Sequence, residues 1–307
     1  SDTSFVTLTN SGTEVARLQL THSNPVMKNN ENRFLTYGIG SASYEISSFD
    51  ETLYSGNAEN KIYTGDVASN GTYCLVTEDN GYLTTLYAYS KNNNRIYKYS
   101  FSEYYITSVA INKDGSGCVA TGVSSDKGSA VTGVYVLDFS QEKPVSTYEI
   151  SGDSVLDCKY LTSDTAVLVG SQASYIVKKG EKNYKTVSYE DKTLSNYCFN
   201  TDTSTYTMAL SRSGDGRSVA LISYNSNGEA QYTINTEHKA DSLSVYKGTV
   251  AILDGNVVYG YNQNGDLLYS TNSGTGSKKI VLASDYTAYI LLSLIHISEP
   301  TRLLSIS

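Results

Sequence analysis

Apolar residues in this chain fall into short runs separated by polar turns, and the arrangement returns about every 40 to 46 residues. The first half of each unit holds two apolar runs in close succession. Asp66-Val67-Ala68 precedes Thr72-Tyr73-Cys74-Leu75-Val76, Ser108-Val109-Ala110-Ile111 precedes Cys118-Val119-Ala120-Thr121, and Leu243-Ser244-Val245 precedes Thr249-Val250-Ala251-Ile252-Leu253. Apolar runs of this length and bounded by turns read as strands covered on both faces. The second half of each unit is more polar and alternates, as strands with one wet face do. There Val219-Ala220-Leu221-Ile222-Ser223-Tyr224 meets Ala230-Gln231-Tyr232-Thr233-Ile234 across Asn225-Ser226-Asn227-Gly228. In the same way Val257-Val258-Tyr259-Gly260-Tyr261 meets Leu267-Leu268-Tyr269 across Asn262-Gln263-Asn264-Gly265, and Leu86-Tyr87-Ala88-Tyr89 meets Ile96-Tyr97-Lys98-Tyr99 through Lys91-Asn92-Asn93-Asn94. Asn and Gly supply the positive φ that tight hairpins need.

A four-stranded unit that cannot cover its own faces must stack on its neighbours, so the period predicts an all-β fold, a β-propeller. Six continuous units run from about residue 23 to residue 276. The ends supply one more: Phe5 to Leu20 match the second half of a unit, and residues 279 to 291 match the first half. The expectation is a seven-bladed propeller, a single domain over residues 1–291 with blade boundaries near 23, 63, 105, 153, 194, 240 and 277. Its last blade is shared between N- and C-terminal strands, which leaves no free sheet edge. The first unit is the weakest, with Tyr44-Glu45-Ile46 and Thr52-Leu53-Tyr54 as outer strands, and six blades is the alternative count.

Composition narrows function mainly by exclusion. The net charge is −8 and the isoelectric point about 5.0. Lys178, Lys179, Lys182 and Lys185 form the densest basic stretch, which reads as a hairpin tip around Gly180, so nucleic acid is not an expected partner. No run of 18 apolar residues is present to span a membrane. The chain has 28 Tyr and no Trp, and these tyrosines read first as cross-strand packing and second as a stacking surface for glycans or peptides.

Four cysteines sit at equivalent repeat positions, Cys158 and Cys198 on innermost strands and Cys74 and Cys118 on the next, and are expected to be buried free thiols. There is no Cys-x-x-Cys, and His22 and His238 lie far apart, so neither a metal site nor a His-based triad is predicted. Asn112-Lys113-Asp114-Gly115 and Ser213-Gly214-Asp215-Gly216 lack the oxygen ligands of a calcium loop and read as turns. No cofactor and no catalytic residue is predicted. The channel-facing candidates are Asp66 and Asp157 on inner strands, because two carboxylates meeting at a channel mouth could perform acid–base chemistry.

Residues 292 to 302 resemble a translated sequencing adapter and break the blade pattern after Leu291, so 292–307 is expected to be a non-native tail. The sequence opens on Ser1 without Met, and a signal or anchor upstream of it is expected to be missing.

Val6-Thr7-Leu8-Thr9-Asn10-Ser11-Gly12-Thr13-Glu14-Val15, Ser23-Asn24-Pro25-Val26 and Val109-Ala110-Ile111-Asn112-Lys113-Asp114-Gly115 resemble a family of bacterial β-propellers of unknown function. Its members occur in Gram-positive anaerobes and carry one membrane-spanning helix before the propeller. The family shades into the WD-repeat-like, YVTN and quinoprotein-like superfamily. The resemblance implies a propeller displayed outside the cell membrane on an N-terminal anchor that this chain does not contain, with no catalytic residues to carry over. The expected function is a non-enzymatic binding or scaffold propeller of the bacterial cell envelope, monomeric, taking a protein, peptide or glycan on one face. The alternative is a carbohydrate-active or other enzyme using carboxylates at the channel mouth. Absence of Trp argues against a quinoprotein, and scarcity of His against a lyase.

Overall fold

The computed structural model describes residues 4–9, 11–20, 25–212, 217–285 and 287–293, and the backbone of 301–305. All long regular elements among them are β-strands. A two-stranded hairpin of β1 (Ser4–Leu8) and β2 (Glu14–Gln19) comes first. Six antiparallel four-stranded meanders follow. The first is β3 (Pro25–Asn30), β4 (Arg33–Gly38), β5 (Ser43–Ser47) and β6 (Thr52–Asn57). The second is β7 (Ile62–Val67), β8 (Tyr73–Thr77), β9 (Thr84–Tyr89) and β10 (Arg95–Phe101). The third is β11 (Tyr105–Ile111), β12 (Gly117–Asp126), β13 (Ser129–Asp138) and β14 (Ser146–Ser151). The fourth is β15 (Val155–Tyr160), β16 (Thr165–Gly170), β17 (Ala173–Lys178) and β18 (Lys185–Ser188). The fifth is β19 (Thr193–Asn200), β20 (Thr205–Ser211), β21 (Val219–Asn225) and β22 (Ala230–Thr236). The sixth is β23 (Ser242–Tyr246), β24 (Thr249–Asp254), β25 (Val257–Tyr261) and β26 (Leu267–Asn272). The last sheet has three strands, β27 (Ser277–Ser284), β28 (Thr287–Leu292) and β29 (Thr301–Ser305). Six meanders and this closing sheet make a seven-bladed β-propeller.

The chain forms two compact units, Ser1–Leu8 with Glu14–Thr186, and Thr9–Thr13 with Val187–Ser307. In the first unit the core lies between successive sheets. Leu35, Tyr37, Tyr44 and Ile46 pack on Ile62, Tyr73 and Leu75. Cys74, Val76, Leu86 and Phe101 meet Ile106, Cys118, Ala120 and Tyr135, and the other face of that third sheet (Val119, Val134, Ile150) meets Cys158, Leu168 and Tyr175. Because both faces of the central strands are covered, β8 and β16 are buried at every position, which is why their sequences do not alternate. In the second unit Leu221 and Ile234 pack on Leu243 and Ile252, while Leu253 and Val258 pack on Ile280 and Ile290.

The polar turns behave as their residues dictate. Gly228 and Gly265 take φ of 69° and 89° and return their N–H to Asn225 and Asn262 carbonyls at 2.9 and 3.1 Å. The side-chain oxygens of Asn225 and Asn262 also accept the N–H two residues on, each at 3.0 Å. Between the third and fourth sheets Asp153, 3% exposed, plays the part of a missing backbone partner. Its carboxylate accepts the N–H groups of Ser171, Gln172 and Ala173 and the Tyr175 hydroxyl, the last at 2.8 Å.

One irregularity recurs on the first strand of five sheets. A β-bulge falls between Ile62 and Thr64 in β7, Ile106 and Ser108 in β11, and Val155 and Asp157 in β15. In the second unit it falls between Leu194 and Asn196 in β19 and between Ser277 and Lys279 in β27. The unpaired residues, Tyr63, Thr107, Leu156, Ser195 and Lys278, are all exposed. A bulge lifts one residue out of the ladder and re-aims its side chain, so these five sheets present a variable residue at a fixed place on their first strand.

The ends of the chain depart from the sequence expectation. Among the described residues β1 and β2 pair only with each other, and β28 takes its outer partner from β29, with Thr287 opposite Ser305 and Leu291 opposite Thr301. A strand edge needs backbone partners, and a segment returning locally closes a far shorter loop than one recruited from the other terminus. The Tyr289 hydroxyl donates to the Thr9 carbonyl at 2.7 Å. Of the expected non-native tail, 294–300 and 306–307 lie outside the described residues, as do His22 and residues 213–216.

Candidate functional site

Two places in the first unit concentrate chemistry. The first is on the inner strands. Asp66 in β7 is 2% exposed, and its Oδ2 accepts the Ile111 N–H of β11 at 2.9 Å. Its other oxygen, Oδ1, is buried without a hydrogen-bond partner among the described residues. Burial raises this carboxyl above the ordinary range, against the opposing pull of Lys159 and Lys28. Asp157 in β15 accepts from the Ser108 hydroxyl of β11 at 3.2 Å and from the Cys158 N–H at 2.9 Å. Its Oδ1 stands 3.7 Å from the Lys28 ammonium of β3. Burial by itself would lower the Lys28 ammonium; Asp157 first and Asp66 second outweigh it, and the net shift is upward. The Lys159 ammonium donates to the Asn29 carbonyl at 3.5 Å.

Each sequence-derived candidate is thus bonded to β11, which runs between their two strands. As the structure has them, Asp66 and Asp157 are ties between inner strands, with Lys28 and Lys159 supplying counter-charge. Lys28 and Lys159 are not foreseen from sequence; a lysine inside an otherwise apolar inner strand is the signal that could have found them. Among the described residues no group of three His, Cys, Asp or Glu could hold a metal ion. His238, in the second unit, stacks on Tyr259 with ring centres 3.5 Å apart and faces the Asp254 carboxylate through Nδ1 at 3.5 Å.

The second place is a cavity of about 310 Å³ on the third blade, lined by Glu103, Tyr104, Tyr135, Thr147, Tyr148 and Glu149. Its floor comes from β13 and β14, where Gly133 opposes Glu149 and Tyr135 opposes Thr147, so these four share one face. Its wall is Tyr104, from the connection before β11. The Tyr104 ring lies on Gly133, where an added Cβ would come within 2.4 Å of it. Only a glycine lets the ring settle there. The Tyr104 hydroxyl donates to Glu149 Oε2 at 2.9 Å. Burial first, then that bond and the charges of Glu149 and Glu103, push the phenol up to about 12, so it stays a neutral donor. Tyr135 is 8% exposed, its ring held by Phe101 at 4.9 Å and by Tyr104 at 6.2 Å with planes 70° apart. Tyr148 alternates to the opposite face, where its ring meets Tyr184 at 5.8 Å. The sequence reading put packing first and a stacking surface second for the tyrosines as a group and did not single out this place; the Glu103-Tyr104-Tyr105 run at a blade junction is the signal that could have found it.

The repeated four-stranded antiparallel meanders, with successive sheets packed face to face within each unit, define a WD40-like β-propeller. Solved structures with this fold bear that out at the level of architecture. The C-terminal WD40 domain of Sif2 is 16% identical, with a TM-score of 0.60 over 88% of this chain and 77% of that one. A eukaryotic initiation factor is 10% identical, with a TM-score of 0.64 over 99% and 80% of the two chains. Hsv2 from Kluyvelomyces marxianus is 9% identical, with a TM-score of 0.59 over 92% and 96%. At such identities the likeness is one of fold alone. No curated protein sequence matches the chain. Residues 1–299 match the family of unknown function DUF5711, and the chain belongs to that family.

Proposed function

We propose that this propeller is a non-enzymatic binding module of the cell envelope, displayed outside the membrane, which takes a protein, peptide or glycan at the end of the blades where the inner strands begin. The observation that carries the reading is the recurrent bulge. It puts an exposed, chemically varied residue at one fixed position of successive blades, with Tyr63 at 37% and Leu156 at 53% exposure. Tyr105, 54% exposed at the start of β11, adds to the same end of the third blade. Exposed aromatic and aliphatic side chains on a rigid sheet are the usual anchors of recognition. Asp66 and Asp157 serve in this reading as inner-strand ties, which leaves the acid–base alternative without a free carboxylate pair.

The test is a peptide and glycan array probed with the protein, followed by the double variant Tyr63→Ala/Leu156→Ala. Both residues are exposed, so the thermal midpoint should hold while affinity for a hit falls about tenfold or more. A hit that the double variant binds unchanged would overturn the reading, and so would turnover of a glycan that Asp157→Asn abolishes. Protease treatment of intact producing cells should remove the propeller; protection until lysis would refute display outside the membrane.

A further inference from the structure

The cavity on the third blade can be given a ligand chemistry. We infer that Tyr104, Tyr135, Glu103, Thr147 and Glu149 form a binding site for an organic monocation, either a quaternary ammonium or the ammonium end of a lysine side chain. The inference rests on the reading of this propeller as a binding module and names what one of its sites takes.

Three observations converge on a cation. Glu103 and Glu149 both line the cavity, and neither has a Lys or Arg ion-pair partner among the described residues, so two carboxylates face one small space uncompensated. The Tyr104 and Tyr135 rings, which both line the cavity, meet edge to face at 70° with centres 6.2 Å apart. A cation set against an aromatic face there gains from the ring quadrupole as well as from the carboxylates. The third observation is Tyr135 itself. It is more than nine-tenths buried and lines the cavity. Its ring is held on other sides by Tyr99, Phe101 and Tyr104, which fixes this wall of the cavity in place.

The alternatives fit less well. An anion would meet two carboxylates. A hard metal ion wants six or more oxygens, and the cavity offers two carboxylates and neutral hydroxyls. A sugar ring stacks best on an open aromatic platform, whereas these rings meet edge to face, and about 310 Å³ lies at the low end of ligand pockets, suited to one side chain or small headgroup. The net charge of −8 favours encounter with a cation.

The experiment is calorimetric titration of the full chain with choline, with Nα-acetyl-lysine methylamide, and with the uncharged tert-butyl analogue of choline. At least one cation should bind saturably, and the uncharged analogue at least about tenfold more weakly than choline if choline is the better ligand. The tighter of the two cations tells whether the source is a quaternary headgroup or a peptide lysine. Equal binding of choline and its uncharged analogue, or binding of neither cation, overturns the inference on the native protein without any variant. Glu149→Gln should weaken the cation about fivefold or more, with loss increasing as salt is lowered. Gly133→Ala should displace the Tyr104 ring and remove binding while far-ultraviolet circular dichroism is kept. Tyr63→Ala/Leu156→Ala should leave cation affinity unchanged. Loss of array hits in that double variant with no cation binding would sink the cavity and spare the rim; cation binding with array hits indifferent to the rim would do the reverse.

Discussion

At the scale of the residue, Asp66 shows how one buried carboxyl can make a propeller sensitive to pH. Its oxygens are removed from water, one satisfied by the Ile111 N–H and the other without a partner. Its folded-state pKa is raised, chiefly by burial. A raised carboxyl contributes stability that is whole below the unfolded value and is lost as pH rises through the folded value. Asp66→Asn has no charge to bury and keeps an acceptor for Ile111. The thermal midpoint of the variant, relative to the native protein, should therefore climb as pH is raised from about 4 to 7. A difference that stays flat or narrows over that range would show that Lys159 and Lys28 compensate the charge in full. Asp66 was legible in the sequence as a charged residue on an inner strand. What it does there was not, because partners such as Ile111 and Lys159 come from other blades.

At the scale of the element, the strands and hairpins follow from local chemistry, and the connections between sheets depend on single polar residues. Asp153 is the plainest case. It satisfies three backbone N–H groups of the Ser171–Ala173 turn and the Tyr175 hydroxyl in a buried place. Asp153→Ala would orphan them together and cost about 3 kcal/mol or more, since each buried donor left unpaired costs roughly 1–3 kcal/mol. Chemical denaturation should show the loss, and Asp153→Asn should recover part of it; a change under about 1 kcal/mol would mean that water replaces the carboxylate. The hairpins at Asn225–Gly228 and Asn262–Gly265 could be read directly, because their φ requirement is met by the residues themselves. The bulges could not. A bulge has no residue signature in these strands, with Tyr63, Thr107, Leu156, Ser195 and Lys278 sharing only their position, and it becomes visible only when both strands of the pair are placed.

At the scale of the whole molecule, the cysteines report on how completely the blades cover their faces. All four are free; Cys74, Cys118 and Cys158 are buried, and Cys198 is half-buried. Burial pushes Cys158 and Cys198 up to about 12, and Cys74 and Cys118 well above the ordinary thiol range. A thiol reagent at neutral pH should label the folded protein slowly at every one of them and react with all four once the chain is unfolded in denaturant. Rapid labelling of Cys74 or Cys118 in buffer would mean that the second and third sheets open at their shared face. Four-stranded sheets that need a neighbour on each side account for both the burial of these thiols and the period in the sequence.

The sequence by itself determined the class of fold, the blade period and the hairpin turns, because each depends on contacts within one unit or on a period that every unit repeats. Tertiary structure alone decided which residues meet across units. It set Asp66 and Asp157 against β11, gave β28 a local partner in place of an N-terminal strand, and brought Tyr104 onto Gly133 beside Glu149. The physical reason is that hydrophobic periodicity records how much of a strand is covered, and carries no record of which side chain from the next blade covers it.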